Sequence, residues 1–83
     1  MIFMIIRVFG MGCKKCTETY ENVKKALEEL EINAEIKKIM DLNEISEWVL
    51  MTPAVSFDDD IIFEGKVPSI LEVKKELEMY LKR

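Results

Sequence analysis

Met1-Ile2-Phe3-Met4-Ile5-Ile6-Arg7-Val8-Phe9-Gly10-Met11-Gly12-Cys13-Lys14-Lys15-Cys16 is the stretch on which the fold turns. Residues 1–9 are apolar apart from Arg7 and are closed by Gly10 and Gly12, the pattern of a strand covered on both faces. From Cys13 to Leu30 the apolar positions Tyr20, Val23, Leu27 and Leu30 recur at helical spacing, and Glu and Lys fill the other side. The reading is a buried strand running into an amphipathic helix, with a Cys-x-x-Cys pair at the junction.

Working outward, Ile32, Ala34 and Ile36 alternate with Asn33, Glu35 and Lys37, which predicts a second strand with one buried face. A whole helix stands between the first two strands, so they pair in parallel through a right-handed crossover. Asp41 precedes Glu44 at nearly capping-box spacing, and Leu42, Ile45 and Val49 fall on one face of a short helix. Thr52-Pro53 ends that helix, because a residue before proline avoids helical backbone. Residues 54–57 and 61–64 flank Asp58, Asp59 and Asp60 as an antiparallel hairpin. Ser69 and Glu72, just after Pro68, repeat the capping signature ahead of a helix striped by Ile70, Val73, Leu77 and Tyr80. The expectation is an α/β fold in the order β-α-β-α-β-β-α, with a four-stranded mixed sheet flanked by three helices, as one domain over residues 1–83.

The 83 residues are 49% hydrophobic and 34% charged, enough apolar material for one core. A net charge of −4 leaves no basic field for nucleic acid or anionic lipid. The opening apolar run is about half the length of a bilayer span and lacks the features of a secretory signal, which points to the cytoplasm and away from membranes. With no histidine, imidazole-based triads and His metal sites are excluded, and two cysteines do not complete a four-ligand zinc shell. No cofactor is expected.

A Cys-x-x-Cys pair at a helix start sets the sulfurs about one turn apart, within reach of a disulfide that opens and closes by exchange. Cys13 stands where free helical N–H groups and the positive end of the dipole favour a thiolate, and Lys14 and Lys15 add positive charge. Cys13 is therefore the candidate nucleophile. Cys16, one turn further in, is the candidate resolving thiol.

Gly10-Met11-Gly12-Cys13-Lys14-Lys15-Cys16, Thr52-Pro53-Ala54 and Gly65-Lys66-Val67-Pro68-Ser69, in that order, resemble the small archaeal and bacterial thioredoxin-like redox-active disulfide proteins, relatives of thioredoxins and glutaredoxins. The resemblance implies that Cys13 and Cys16 carry thiol/disulfide exchange, with Gly12, Lys14 and Lys15 in support. It implies that the Thr52-Pro53 bond is cis and faces the cysteines, and that Thr52 and Pro53 bind an extended substrate by strand addition. The implied partners are disulfide-containing proteins or small thiols, and a reductase or low-molecular-weight thiol as electron donor. The chain departs from the thioredoxin pattern in lacking Trp before Cys13, Gly-Pro between the cysteines and a carboxylate in the first strand.

The Met11-Gly12-Cys13-Lys14-Lys15-Cys16 loop also fits the Met-x-Cys-x-x-Cys loop of copper chaperones, where two thiolates hold Cu(I). Those domains run βαββαβ and end on a strand. Trp48 and the methionines read as packing, and Asp58 to Asp60 as a solvated turn.

Overall fold

The computed structural model describes residues 4–12 and 14–82. Its elements are β1 (Met4–Phe9), α1 (Lys14–Leu30), β2 (Ala34–Ile39), α2 (Leu42–Trp48), β3 (Ala54–Phe57), β4 (Asp60–Glu64) and α3 (Ile70–Leu81). The expected continuation of β1 into residues 1–3, and Cys13 as the start of α1, lie outside the described residues. The four strands form one sheet in the order β2-β1-β3-β4. β1 and β2 are parallel, while β1 with β3 and β3 with β4 are antiparallel. The β-α-β-α-β-β-α order is the one the apolar periodicities predict, and it closes on a helix, unlike the βαββαβ arrangement of the copper-chaperone alternative.

Alternation along β1 distributes side chains to two faces. Met4, Ile6 and Val8 meet Val23, Ala26 and Leu27 of α1 and Val73 and Leu77 of α3, with Val55, Phe57 and Phe63 completing the cluster. On the other face Phe9 and Ala54 pack with Ile45 and Val49. Coverage of that second face is incomplete, because α2 has only 7 residues. Ile5 and Arg7 consequently stay half-buried, a correction to the expectation of a strand covered on both sides. Arg7 is accommodated there by stacking its guanidinium 4.8 Å from the Trp48 ring centroid and by donating to the Asp58 carbonyl at 2.6 Å. Trp48 in turn lies against Phe9 with centroids 5.5 Å apart, so its role is packing.

Local chemistry sets the ends of each element. Beyond α1, Glu31 takes a left-handed φ of 55°, and the Ile32 and Glu31 N–H groups donate to the Leu27 and Glu28 carbonyls at 3.0 and 3.2 Å. That is a Schellman closure made without glycine. Ile32 is spent on this closure, so β2 begins at Ala34 and runs to Ile39. Asp41 caps α2 through the Asn43 N–H at 2.9 Å, not through Glu44. Leu42 is 61% exposed and leaves the apolar stripe to Ile45 and Val49. α2 also stops before Thr52-Pro53, because Val49 turns extended to put its side chain into the core. Ser69 and Glu72 do form the full capping box that their spacing predicts.

In the hairpin, Asp60 already belongs to β4 and Asp58 carries the turn at a positive φ of 54°. Asp58 is more than a solvated acid: its N–H donates to the Ile5 carbonyl at 2.7 Å and its carboxylate accepts from the Ile5 N–H at 3.0 Å. The register shifts between Val55 and Ser56, which face Phe63 and Ile61, so Ile62 is an extra, bulged residue. The methionines divide: Met4 is core, whereas Met11, Met40, Met51 and Met79 are exposed, against the expectation of core filler.

Candidate functional site

Pairing brings the candidate residues to one end of the sheet. Phe9 faces Ile39 on one side and Ala54 on the other, so the segments beginning at Gly10, Met40 and Pro53 all emerge together. Gly10 prolongs the parallel ladder by donating its N–H to the Ile39 carbonyl at 3.0 Å. Gly12 then turns the chain into α1 at a φ of +84°, a conformation that disfavours any residue with a β-carbon.

Cys16 lies on the inner side of α1 and is buried. Its sulfur rests directly on the Gly10 backbone: a β-carbon built on Gly10 would stand 2.1 Å from Sγ. The missing side chain of Gly10 is therefore the space that the sulfur fills. Beside it is a small cavity of about 40 Å³, lined by Val8, Gly10, Gly12, Cys16, Thr17, Lys38 and Met40. That is room for water next to a thiol, with Thr17 and Lys38 contributing to its wall. Lys38 reaches this position because it pairs with Val8 in the parallel ladder, and its Nζ also sits 4.3 Å from the Tyr20 ring centroid.

Gly12 and Cys16 thus share one cavity wall. Lys14 and Lys15 are exposed in the first turn of α1 and do not line the cavity. Cys13 immediately precedes Lys14 in the chain and lies outside the described residues. The Thr52-Pro53 bond is cis, with Thr52 exposed and Pro53 buried at the same end of the sheet. Among the described residues no cluster of three or more Cys, Asp or Glu side chains is placed to hold a metal ion.

Gly10, Thr17, Lys38 and Met40 were not legible as site residues. Gly10 reads as a strand terminator, and Lys38 and Met40 are remote in sequence until the parallel register is known. A glycine three residues ahead of the first cysteine was the only local signal available.

The thioredoxin domain family matches residues 4–78 of the chain. A thioredoxin of Methanocaldococcus jannaschii is 62% identical over 80 residues, which cover 96% of this chain and 93% of that protein. A thioredoxin of Methanothermobacter thermautotrophicus is 36% identical over 75 residues, covering 89% of this chain and 97% of the relative.

Proposed function

The chain belongs to the thioredoxin family, and on that premise we propose that it reduces disulfides through Cys13 and Cys16, acting as one domain over residues 1–83. The Cys13 thiolate attacks a substrate disulfide, forming a mixed disulfide and releasing one substrate thiolate, which takes up a proton. Cys16 then loses its proton and attacks the Cys13 sulfur. The Cys13–Cys16 disulfide forms, the second substrate thiol leaves, and two electrons have passed from protein to substrate. A reductase or a low-molecular-weight thiol returns them.

The observation that carries this reading is the placement of the Cys16 sulfur on Gly10, beside a cavity able to hold water. The strand ahead of the cysteines holds no carboxylate, so water in that cavity is the acceptor at hand for the Cys16 proton. Gly12 shapes the turn, and Lys14 and Lys15 favour the Cys13 thiolate from the solvent side. Thr52 presents its backbone N–H and carbonyl to an extended substrate chain, and Pro53, whose carbonyl is taken by the Gly65 N–H, meets that chain with its ring. No helix among the described residues is long and apolar enough to cross a membrane. The reducing cytoplasm, where a reductase keeps the pair cycling, is the compartment that suits this chemistry.

Insulin reduction driven by dithiothreitol tests the assignment. Cys13→Ser abolishes catalysis, and Cys16→Ser accumulates a mixed disulfide through Cys13 that mass spectrometry detects. Exchange by Cys13→Ser at the wild-type rate, or capture of substrate on Cys16, reverses the roles.

A further inference from the structure

The corner where β4 ends holds the loop between α2 and β3 through several independent contacts. The Glu64 carboxylate accepts from the Leu50 N–H at 2.6 Å and from the Met51 N–H at 3.2 Å. One residue on, the Gly65 N–H donates to the Pro53 carbonyl at 2.9 Å. Met51 folds over Gly65, so closely that a β-carbon there would meet three of its side-chain atoms at 3.2 to 3.3 Å. The backbone of residues 50, 51 and 53 is therefore gripped from one side.

The loop itself supplies little to hold it. Leu50 is 95% exposed and Met51 61% exposed, so neither anchors the segment by burial. A loop with few buried contacts belongs to the least stable part of a protein. Two backbone N–H groups converging on one carboxylate oxygen are charge-assisted bonds that fix its direction. Their position is the informative point, because they end one residue before Thr52.

We propose that Glu64 is a positioning residue for polypeptide substrates. It holds residues 50–53 so that the Thr52 backbone offers an extended chain a preformed edge beside the Pro53 ring, with the ordering entropy already spent before the substrate arrives. The inference rests on the reading that Thr52 and Pro53 bind substrate. It separates two substrate classes: a peptide disulfide spans the loop, whereas a small aromatic disulfide reacts at the sulfur without reaching it.

The test compares a short peptide disulfide with 5,5′-dithiobis-(2-nitrobenzoic acid) on the full chain, in wild type, Glu64→Ala, Glu64→Gln and Pro53→Ala. Glu64→Ala raises KM for the peptide about tenfold with a much smaller change in kcat, so the peptide to small-disulfide ratio of kcat/KM falls about tenfold. Glu64→Gln, whose amide oxygen still accepts, recovers most of the loss. Amide exchange by NMR accelerates at Leu50 and Met51 in Glu64→Ala and stays unchanged in β1. Equal losses on both substrates, or unchanged exchange at Leu50 and Met51, overturn the role of Glu64. If Pro53→Ala lowers the ratio while Glu64→Ala does not, only the positioning role fails. If neither variant lowers it, the substrate-binding reading of Thr52 and Pro53 fails with it.

Discussion

The contact between Gly10 and the Cys16 sulfur makes one hydrogen atom at Gly10 a condition of the site. In Gly10→Ala the new methyl would lie 2.1 Å from Sγ and 2.7 Å from the Cys16 β-carbon, so the cysteine side chain must move. Such overpacking costs about 1 to 3 kcal/mol, which thermal melts will register. A reacting atom displaced by about 1 Å commonly loses on the order of a hundredfold in rate. Gly10→Ala therefore slows resolution of a preformed mixed disulfide far more than it slows alkylation of Cys13, as stopped-flow and alkylation kinetics respectively measure. None of this is visible in the sequence, where Gly10 and Gly12 look alike. Gly12 answers a backbone requirement and Gly10 a steric one, and only the fold tells them apart.

At the scale of elements, α3 shows how far spacing alone is informative. Ser69 and Glu72 lie at capping-box spacing in the sequence and form both reciprocal bonds in the structure. Ser69→Ala removes the acceptor for the Glu72 N–H and costs about 1 kcal/mol in a denaturant titration. The Glu72 carboxyl is held below its ordinary value by the hydrogen bond from Lys66, and next by the Ser69 backbone N–H. A lowered carboxyl contributes stability that is fully present above its unfolded value and is lost as pH falls through the folded one. Melting curves of wild type and Glu72→Gln should therefore differ at neutral pH and draw together only as the pH falls below the ordinary carboxylate range, with the difference reduced by salt. Asp41 carries nearly the same signature, yet its carboxylate accepts from the Asn43 N–H, one position earlier than in a capping box. The end of α1 was illegible for another reason: Glu31 takes the left-handed position with a side chain that carries no glycine-like signal.

For the whole molecule, the cluster between the sheet and the α1–α3 layer is the main source of stability. Leu77 is fully buried there with Val23, Val73 and Phe57. Leu77→Ala leaves a cavity and costs about 2 to 5 kcal/mol, a large share of the roughly 5 to 15 kcal/mol typical of a folded domain. Guanidinium unfolding will show it as a lowered midpoint with an unchanged slope. The order of elements was readable because the helices and β2 carry a clean period of 3.6 or two, while β1 and the hairpin strands are short apolar runs bounded by glycine, proline and aspartate. The cavity was not, since Val8 and Lys38 meet only through the register of β1 with β2. The bulge at Ile62 has its own consequence at this scale, because β4 is a rim of the sheet. A straight apolar rim is a template on which a second molecule can add strands without limit. The surplus residue interrupts the regular spacing of outward N–H and C=O groups, while Asp60 and Glu64 set a negative charge at each end of the strand. Neighbouring copies in a crowded solution thus meet a crooked, like-charged border, which guards against fibrous self-association at the more apolar of the two sheet rims.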